Sequence, residues 1–123
     1  MLNQVIIVGR LVRDPEVYVV KDGRKVSSIT LAVNRGYRNH ITGTYDTDFI
    51  HVTLWENLAE TTAKHCHKGS IIGIKGRISV RTNAEGHKEL EVVGEKVTFI
   101  SLAKPNEEEL INKKITIEEE VTV

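Results

Sequence analysis

A single cysteine, Cys66, leaves this chain without an internal disulfide, so its fold rests on packing rather than on covalent staples. Proline is scarce as well: Pro15 follows Asp14 in a turn, and Pro105 opens the C-terminal stretch. No apolar run approaches the length of a membrane span. The opening "MLNQVIIVGRLVRD" has only a short apolar run, with no basic leader before it and no small-residue cleavage site. It therefore reads as no signal peptide, and the expected location is the cytoplasm. Net charge is missing too, since Lys+Arg and Asp+Glu both number 17, and the overall balance points to no partner. The phosphate-cradling glycine loop, the nucleophile elbow and the dinucleotide fingerprint are all absent. The reading is of no enzyme and no cofactor.

What is present fits one globular domain. The chain has 123 residues, 40% of them hydrophobic and 28% charged, enough for a real core. Charge is unevenly placed. From Lys104 onward three lysines face six glutamates, so a mildly basic body precedes an acidic tail. That asymmetry is common in proteins that bind nucleic acid.

Period two dominates the body. Val5 to Val8 is a β-branched run closed by Gly9, which reads as a buried strand. "YVVKDGRKV" holds Asp22-Gly23, a hairpin turn between Tyr18 to Val20 and the next strand. In "VSSITLAVNRGY", Ile29, Leu31 and Val33 share one face. "RNHITGTYDTD" reads as a polar loop. "FIHVTLW" then puts Ile50, Val52 and Leu54 on the core face and Phe49, His51, Thr53 and Trp55 on the other. Two aromatics on a non-core face need a reason. "ENLAETTAKHCHKG" changes to helical period, with Cys66 on its apolar face and Gly69 as its stop. Two more strands, "SIIGIKGRISVRT" and "HKELEVVGEKVTFI", close the body.

"KHCHKGS" invites a metal or thiol-nucleophile reading. Adjacent helical residues point about 100° apart, so His65, Cys66 and His67 fan out instead of converging. A chelating helix wants a spacing of three or four. The stretch reads as a helix end with a core thiol, and no metal site is expected. Asp46 and Asp48 form the other conceivable cation pair, and a solvated loop pair is the plainer reading.

The binding signal lies elsewhere. Sequence-tolerant capture of a single strand needs aromatic faces for bases and cations for phosphates. Phe49 and Trp55 supply rings on the non-core face. Arg35, Tyr37 and Arg38 stand where a strand enters a loop. Lys75, Arg77 and Arg81 fall on one side of their strand, and Arg10 and Arg13 close the first strand.

Together "MLNQVIIVGRLVRDPEV", "ITLAVNR", "DFIHVTLW" with "LAE", and "KGSIIGIKGRI" resemble bacterial single-stranded DNA-binding proteins from Met1 to about Leu102. The resemblance implies an all-β fold, a five-stranded Greek-key OB-fold barrel with one short helix between strands three and four. It implies a homotetramer and no catalysis. By position it makes Tyr37, Phe49 and Trp55 the stacking residues and matches Arg81 and Lys68 among the basic ones. His51 and Asn57 stand where the family often has Arg or Lys, and Asn83 stands where it has a fourth ring. A lost stacked base is worth about 1–3 kcal/mol, so weaker binding or a smaller site is expected. The family's long linker and acidic Pro-Phe tip, which dock replication and repair proteins, are missing from "EELINKKITIEEEVTV". Recruitment of those partners is not expected, and a paralogue or a phage or mobile-element copy fits better than the main replicative protein. "KITIEEEVTV" also has the alternation of a strand that adds to a sheet edge.

The expectation is an OB-fold domain over residues 1–103 with a short acidic tail at 104–123. It would coat single-stranded DNA in replication, recombination or repair, through Tyr37, Phe49, Trp55, Arg35, Arg38, Arg77, Arg81, Lys68, Arg10 and Arg13. The alternative left open is an OB-fold protein-interaction module of primosomal or inhibitory type.

Overall fold

The computed structural model describes residues 1–104; the glutamate-rich tail and its candidate edge strand lie outside the described residues. The elements follow as β1 (Val5–Leu11), β2 (Tyr18–Val19), β3 (Lys25–Arg38), β4 (Tyr45–Trp55), α1 (Glu56–His65), β5 (Ile71–Thr82) and β6 (Lys88–Ser101). β2 is a short arm on β3, so five long strands carry the architecture. They neighbour one another in the order β1–β5–β6–β4–β3, and β3 pairs back onto β1 to close a barrel. The closing rungs are few. Arg10↔Ala32 and Leu11↔Leu31 join β1 to β3, while Val52↔Val92 and Thr53↔Val93 join β4 to β6 in parallel.

Alternation along each strand builds the core. Ile7 and Leu11, Ile29 and Leu31, Val52 and Leu54, and Ile72 and Ile74 all point inward and are buried. Each such side chain contributes roughly 1.5–3 kcal/mol when fully removed from water. The aliphatic face of "FIHVTLW" is the core face, as its pattern predicts.

Two glycines let the strands turn. Gly76 and Gly94 are register partners, and beside them the β5–β6 ladder skips Glu95. A Cβ on Gly76 would run into the Val93 carbonyl, and one on Gly94 into the Leu54 side chain. The extra residue bends β6, and just before it in the chain Val92 and Val93 pair with β5 on one edge and with β4 on the other. Where β1 ends its pairing with β5 at Val5↔Gly76, the Asn3 side chain continues the ladder. Its amide donates to the Ile78 carbonyl at 2.6 Å, and its oxygen accepts from the Ile78 N–H at 2.9 Å.

The β4–α1 junction is abrupt. Trp55 is still extended at φ −118° and ψ 148°, and Glu56 takes a left-handed φ of 54°. That conformation costs a non-glycine residue about 1–2 kcal/mol. The Glu56 carboxylate accepts from the Lys25 N–H at 3.3 Å, which ties the junction to the start of β3.

Three local expectations need correction. The Val5 to Val8 run is not buried throughout: Ile7 is inside, while Ile6 and Val8 are 71% and 51% exposed on the outer face. A continuous apolar run hides its alternation, because both faces look alike in sequence. The helix ends at His65 rather than running on to Gly69, and Cys66 is already extended at φ −108°. Gly69, at φ +94°, instead serves the turn in which the Ser70 N–H reaches the His67 carbonyl. The loop around Gly43 is also shorter than expected. β3 and β4 run out to Arg38 and Tyr45, leaving a hairpin turn organised by the Asn39 side chain, which accepts from the Ile41 and Thr42 N–H groups.

Cys66 belongs to the core at 1% exposure, and burial pushes its thiol above the ordinary range. Thiolate is the reactive form, so the native protein is expected to resist a thiol reagent such as DTNB and to react with one equivalent once unfolded in urea. Fast labelling of the folded protein would show that Cys66 is not a core residue.

Candidate nucleic-acid interface

The outer face of the β3–β4 ladder is set by its register. Ala32 lies opposite Phe49, Thr30 opposite His51, Ser28 opposite Thr53 and Val26 opposite Trp55. Small residues on β3 therefore flank the large ones on β4, which makes a flat floor with rings rising along one side. Phe49 is 63% exposed, and Trp55 is half-buried where β4 turns into the helix. The two rings are six positions apart along β4, about 20 Å at the usual rise, too far to sandwich one base between them.

The middle of this floor is polar. Thr30 Oγ1 and His51 Nδ1 are 2.8 Å apart, and Arg13 Nη2 donates to the same hydroxyl at 3.4 Å. Arg13, Asp14, Glu16, Tyr18, Ser28, Thr30 and His51 line a shallow groove here. Glu16 accepts from the Tyr18 hydroxyl, which holds that phenol above its ordinary range. A neighbouring groove shares Arg13, Asp14 and Glu16 and continues to His67, Lys68 and Lys104. Lys68 thus stands around the corner from the aromatic floor, its backbone N–H anchored on Asp14 Oδ1 at 2.6 Å. Arg10 lies beside Ala32 in register, but its guanidinium donates to the Gly69 carbonyl at 3.2 Å.

The arginines farther out are accompanied by carboxylates. Arg35 donates to Asp48 at 3.1 and 3.3 Å and stands 3.9 Å from Asp46, on the side of β3 that carries Leu31 and Val33. The Asp48 hydrogen bond and charge raise the Arg35 pKa further. The Asp46/Asp48 pair holds a guanidinium, and among the described residues no cluster suited to a metal ion forms. On β5, Arg77 and Arg81 share a face as the spacing predicts. Their register partners on β6 are Val93 and Glu89, with Glu91 opposite Ser79 between them. Arg81 is 3.7 Å from Glu89, and Thr53 donates to Glu91 at 2.6 Å. Carboxylates therefore lie between the β5 arginines and the β4 rings.

Tyr37 is 66% exposed near the end of β3, past a break in the ladder between Asn34 and Arg38. Arg38 stacks 5.6 Å from the ring of Tyr45, itself 50% exposed on the same strand side as Phe49. The sequence reading missed Tyr45 by placing it in a loop, although Tyr45, Thr47 and Phe49 continue the alternation of β4. It also missed Arg24, whose guanidinium covers the Trp55 ring at 4.5 Å. At the opposite end, Asn83 shapes the β5–β6 turn: its side-chain oxygen accepts from the Glu85 and His87 N–H groups, both at 3.0 Å.

A closed five-stranded barrel with a helix between its third and fourth long strands, carrying rings on an outer face, is an OB-fold. Over residues 2–100 the chain matches the model of the single-strand binding protein family, and it belongs to that family. It is 42% identical over 111 residues to single-stranded DNA-binding protein B of Bacillus subtilis, covering 87% of this chain and 96% of that one. A single-stranded DNA-binding protein of Halalkalibacterium halodurans is 43% identical over 104 residues, spanning 81% of this chain and 61% of the relative. The crystal structure of the wild-type single-stranded DNA binding protein from Thermus aquaticus superposes with a TM-score of 0.70 at 23% identity, over 81% of this chain and 50% of that one. That likeness confirms the barrel.

Proposed function

We propose that this chain binds single-stranded DNA without regard to sequence, in replication, recombination or repair. The observation that carries the reading is the exposed Phe49 and half-buried Trp55 on the solvent face of β4, in a chain whose curated relatives are named for this ligand. Bases stack on Phe49, Trp55 and Tyr37. Arg13, Arg38, Arg77 and Arg81 neutralise phosphates near the floor, with Arg10 and Lys68 at its margins. Arg35 joins them only by giving up its hold on Asp48. The protein acts by binding alone, without cofactor or metal, in the cytoplasm at the nucleoid. Residues 1–103 are the binding domain, and the acidic stretch beyond it does not recruit the family's usual partners.

The chain works as a homotetramer in this reading. Ile6 and Val8, exposed on the outer face of β1, line one apolar surface with Gly73 and Ile100. Exposed aliphatics in such number mark an interaction surface. Among the described residues no helix is long and apolar enough to cross a membrane.

The test is a titration with oligo(dT), following the fluorescence of Trp55, the chain's only tryptophan, at several salt concentrations. Strong quenching is expected, with an affinity whose log–log salt slope is about −0.7 per phosphate neutralised. Glu89 and Glu91, together with the ringless Asn83, favour the rival protein-interaction module. An unchanged signal together with a blank gel shift would put that rival first.

A further inference from the structure

The half-buried Trp55 ring carries a cation over its face in this conformation. The turn between β2 and β3 carries Arg24 over the indole, its Cζ 4.5 Å from the ring centroid. Val26 is the register partner of Trp55, so the ladder fixes the turn above the ring. Gly23, at φ +89°, folds the chain so that residues 22 and 24 meet. Asp22 then clasps the arginine: Arg24 Nε donates to Oδ2 at 2.7 Å and the Arg24 backbone N–H to Oδ1 at 3.0 Å. The backbone bond first, and the side-chain bond next, hold the Asp22 carboxyl below its usual range.

We propose that Arg24 is a DNA-contact residue that masks its own stacking platform in the free protein. An arriving base displaces the guanidinium from the indole, and the released guanidinium pairs with a phosphate of the same strand. The inference rests on the reading of Trp55 as a base platform. Each interaction given up has a counterpart of the same kind. A cation over the ring is replaced by a base over the ring. A carboxylate that accepts from the guanidinium is replaced by a phosphate that does the same. The clasp is soft, because the two side chains are 58% and 55% exposed and their ion pair is screened by water.

Masking and phosphate contact have opposite salt signatures, and removing Arg24 separates them. Arg24→Ala loses one phosphate contact, so its log–log salt line becomes shallower by about 0.7. It also frees the ring, a gain of about two- to fivefold that does not depend on counterion release. The variant therefore binds more weakly than the parent at low salt and more tightly at high salt, and the two lines cross. Asp22→Asn keeps the cation and loosens the clasp, so its line runs parallel to the parent's and about twofold tighter. Arg24→Lys keeps the charge without the planar stack, and its slope is expected to match the parent's.

The experiment is anisotropy of labelled oligo(dT) with the full chain and these variants across a salt series, together with acrylamide quenching of Trp55 in the free proteins. Higher quenching in Arg24→Ala and Arg24→Lys, with crossing lines for the former, supports the exchange. Superimposed lines for all variants, or unchanged quenching in both Arg24 variants, overturns it. A Trp55→Ala variant that binds like the parent would bring down the platform reading itself. A shallower Arg24→Ala line would then mark Arg24 as a plain phosphate contact.

Discussion

Replacing Phe49 by Ala is expected to weaken oligo(dT) binding by about 1–3 kcal/mol, roughly five- to 150-fold, while leaving the fold intact. The ring is 63% exposed and stands opposite the methyl of Ala32, so little of the core depends on it. Surface changes of this kind usually move stability by less than about 0.5 kcal/mol. The salt slope should not change, because phenylalanine carries no charge and neutralises no phosphate. Anisotropy at several salt concentrations reads both quantities. Binding within twofold of the parent would mean that the floor of β4 is not where bases lie.

Leu54→Ala should do the reverse. Leu54 is on the same strand but on the other face, wholly buried, and its Cδ2 lies where a side chain on Gly94 would have to go. Emptying that site removes transfer energy and leaves a cavity that the closed barrel cannot collapse around. A loss of about 2–5 kcal/mol is expected. It appears as a lower urea midpoint with an unchanged m-value. The rings of Phe49 and Trp55 keep their places on the outer face, so affinity in dilute urea-free buffer stays within a few-fold of the parent. Saturating oligo(dT) should then raise the midpoints of parent and variant alike. A variant that loses affinity as much as stability would show that the two faces of β4 are not independent.

That separation of faces was legible in seven letters. "FIHVTLW" carries the core and the floor on alternate residues, and the barrel honours both. The helix was legible in its change of period, and Cys66 is buried as its apolar neighbours suggest, although it lies one residue past the helix in extended backbone. Features set by pairing between distant strands were not legible. Arg24 covers Trp55 across 31 positions because Val26 pairs with Trp55, and nothing near either residue announces it. Glu91 reaches Thr53 across the β4–β6 seam, so a count of arginines along β5 alone overstates its positive charge. The ion pairs of Arg35 were hidden because Asp46 and Asp48 were read as loop residues, whereas β4 carries them to its guanidinium. The positive φ of Glu56 had no sequence signal, since glycine is the residue that advertises such a turn.

The two thin seams of the barrel give it the mechanics of a book with two covers. One cover is β1, β5 and β6, the other β2, β3 and β4, and the long strands of each are laced by many rungs, bulges notwithstanding. Only two rungs bind cover to cover on either side. Shear and breathing are expected where the lacing is thinnest, and one of those lines runs between Thr53 and Val93, beside the rings. The rings stand on one cover, and Arg77 and Arg81 on the other. In the proposed binding mode a strand of DNA touches both and lies across that edge like a clasp, so occupancy is expected to stiffen the barrel as well as cover it.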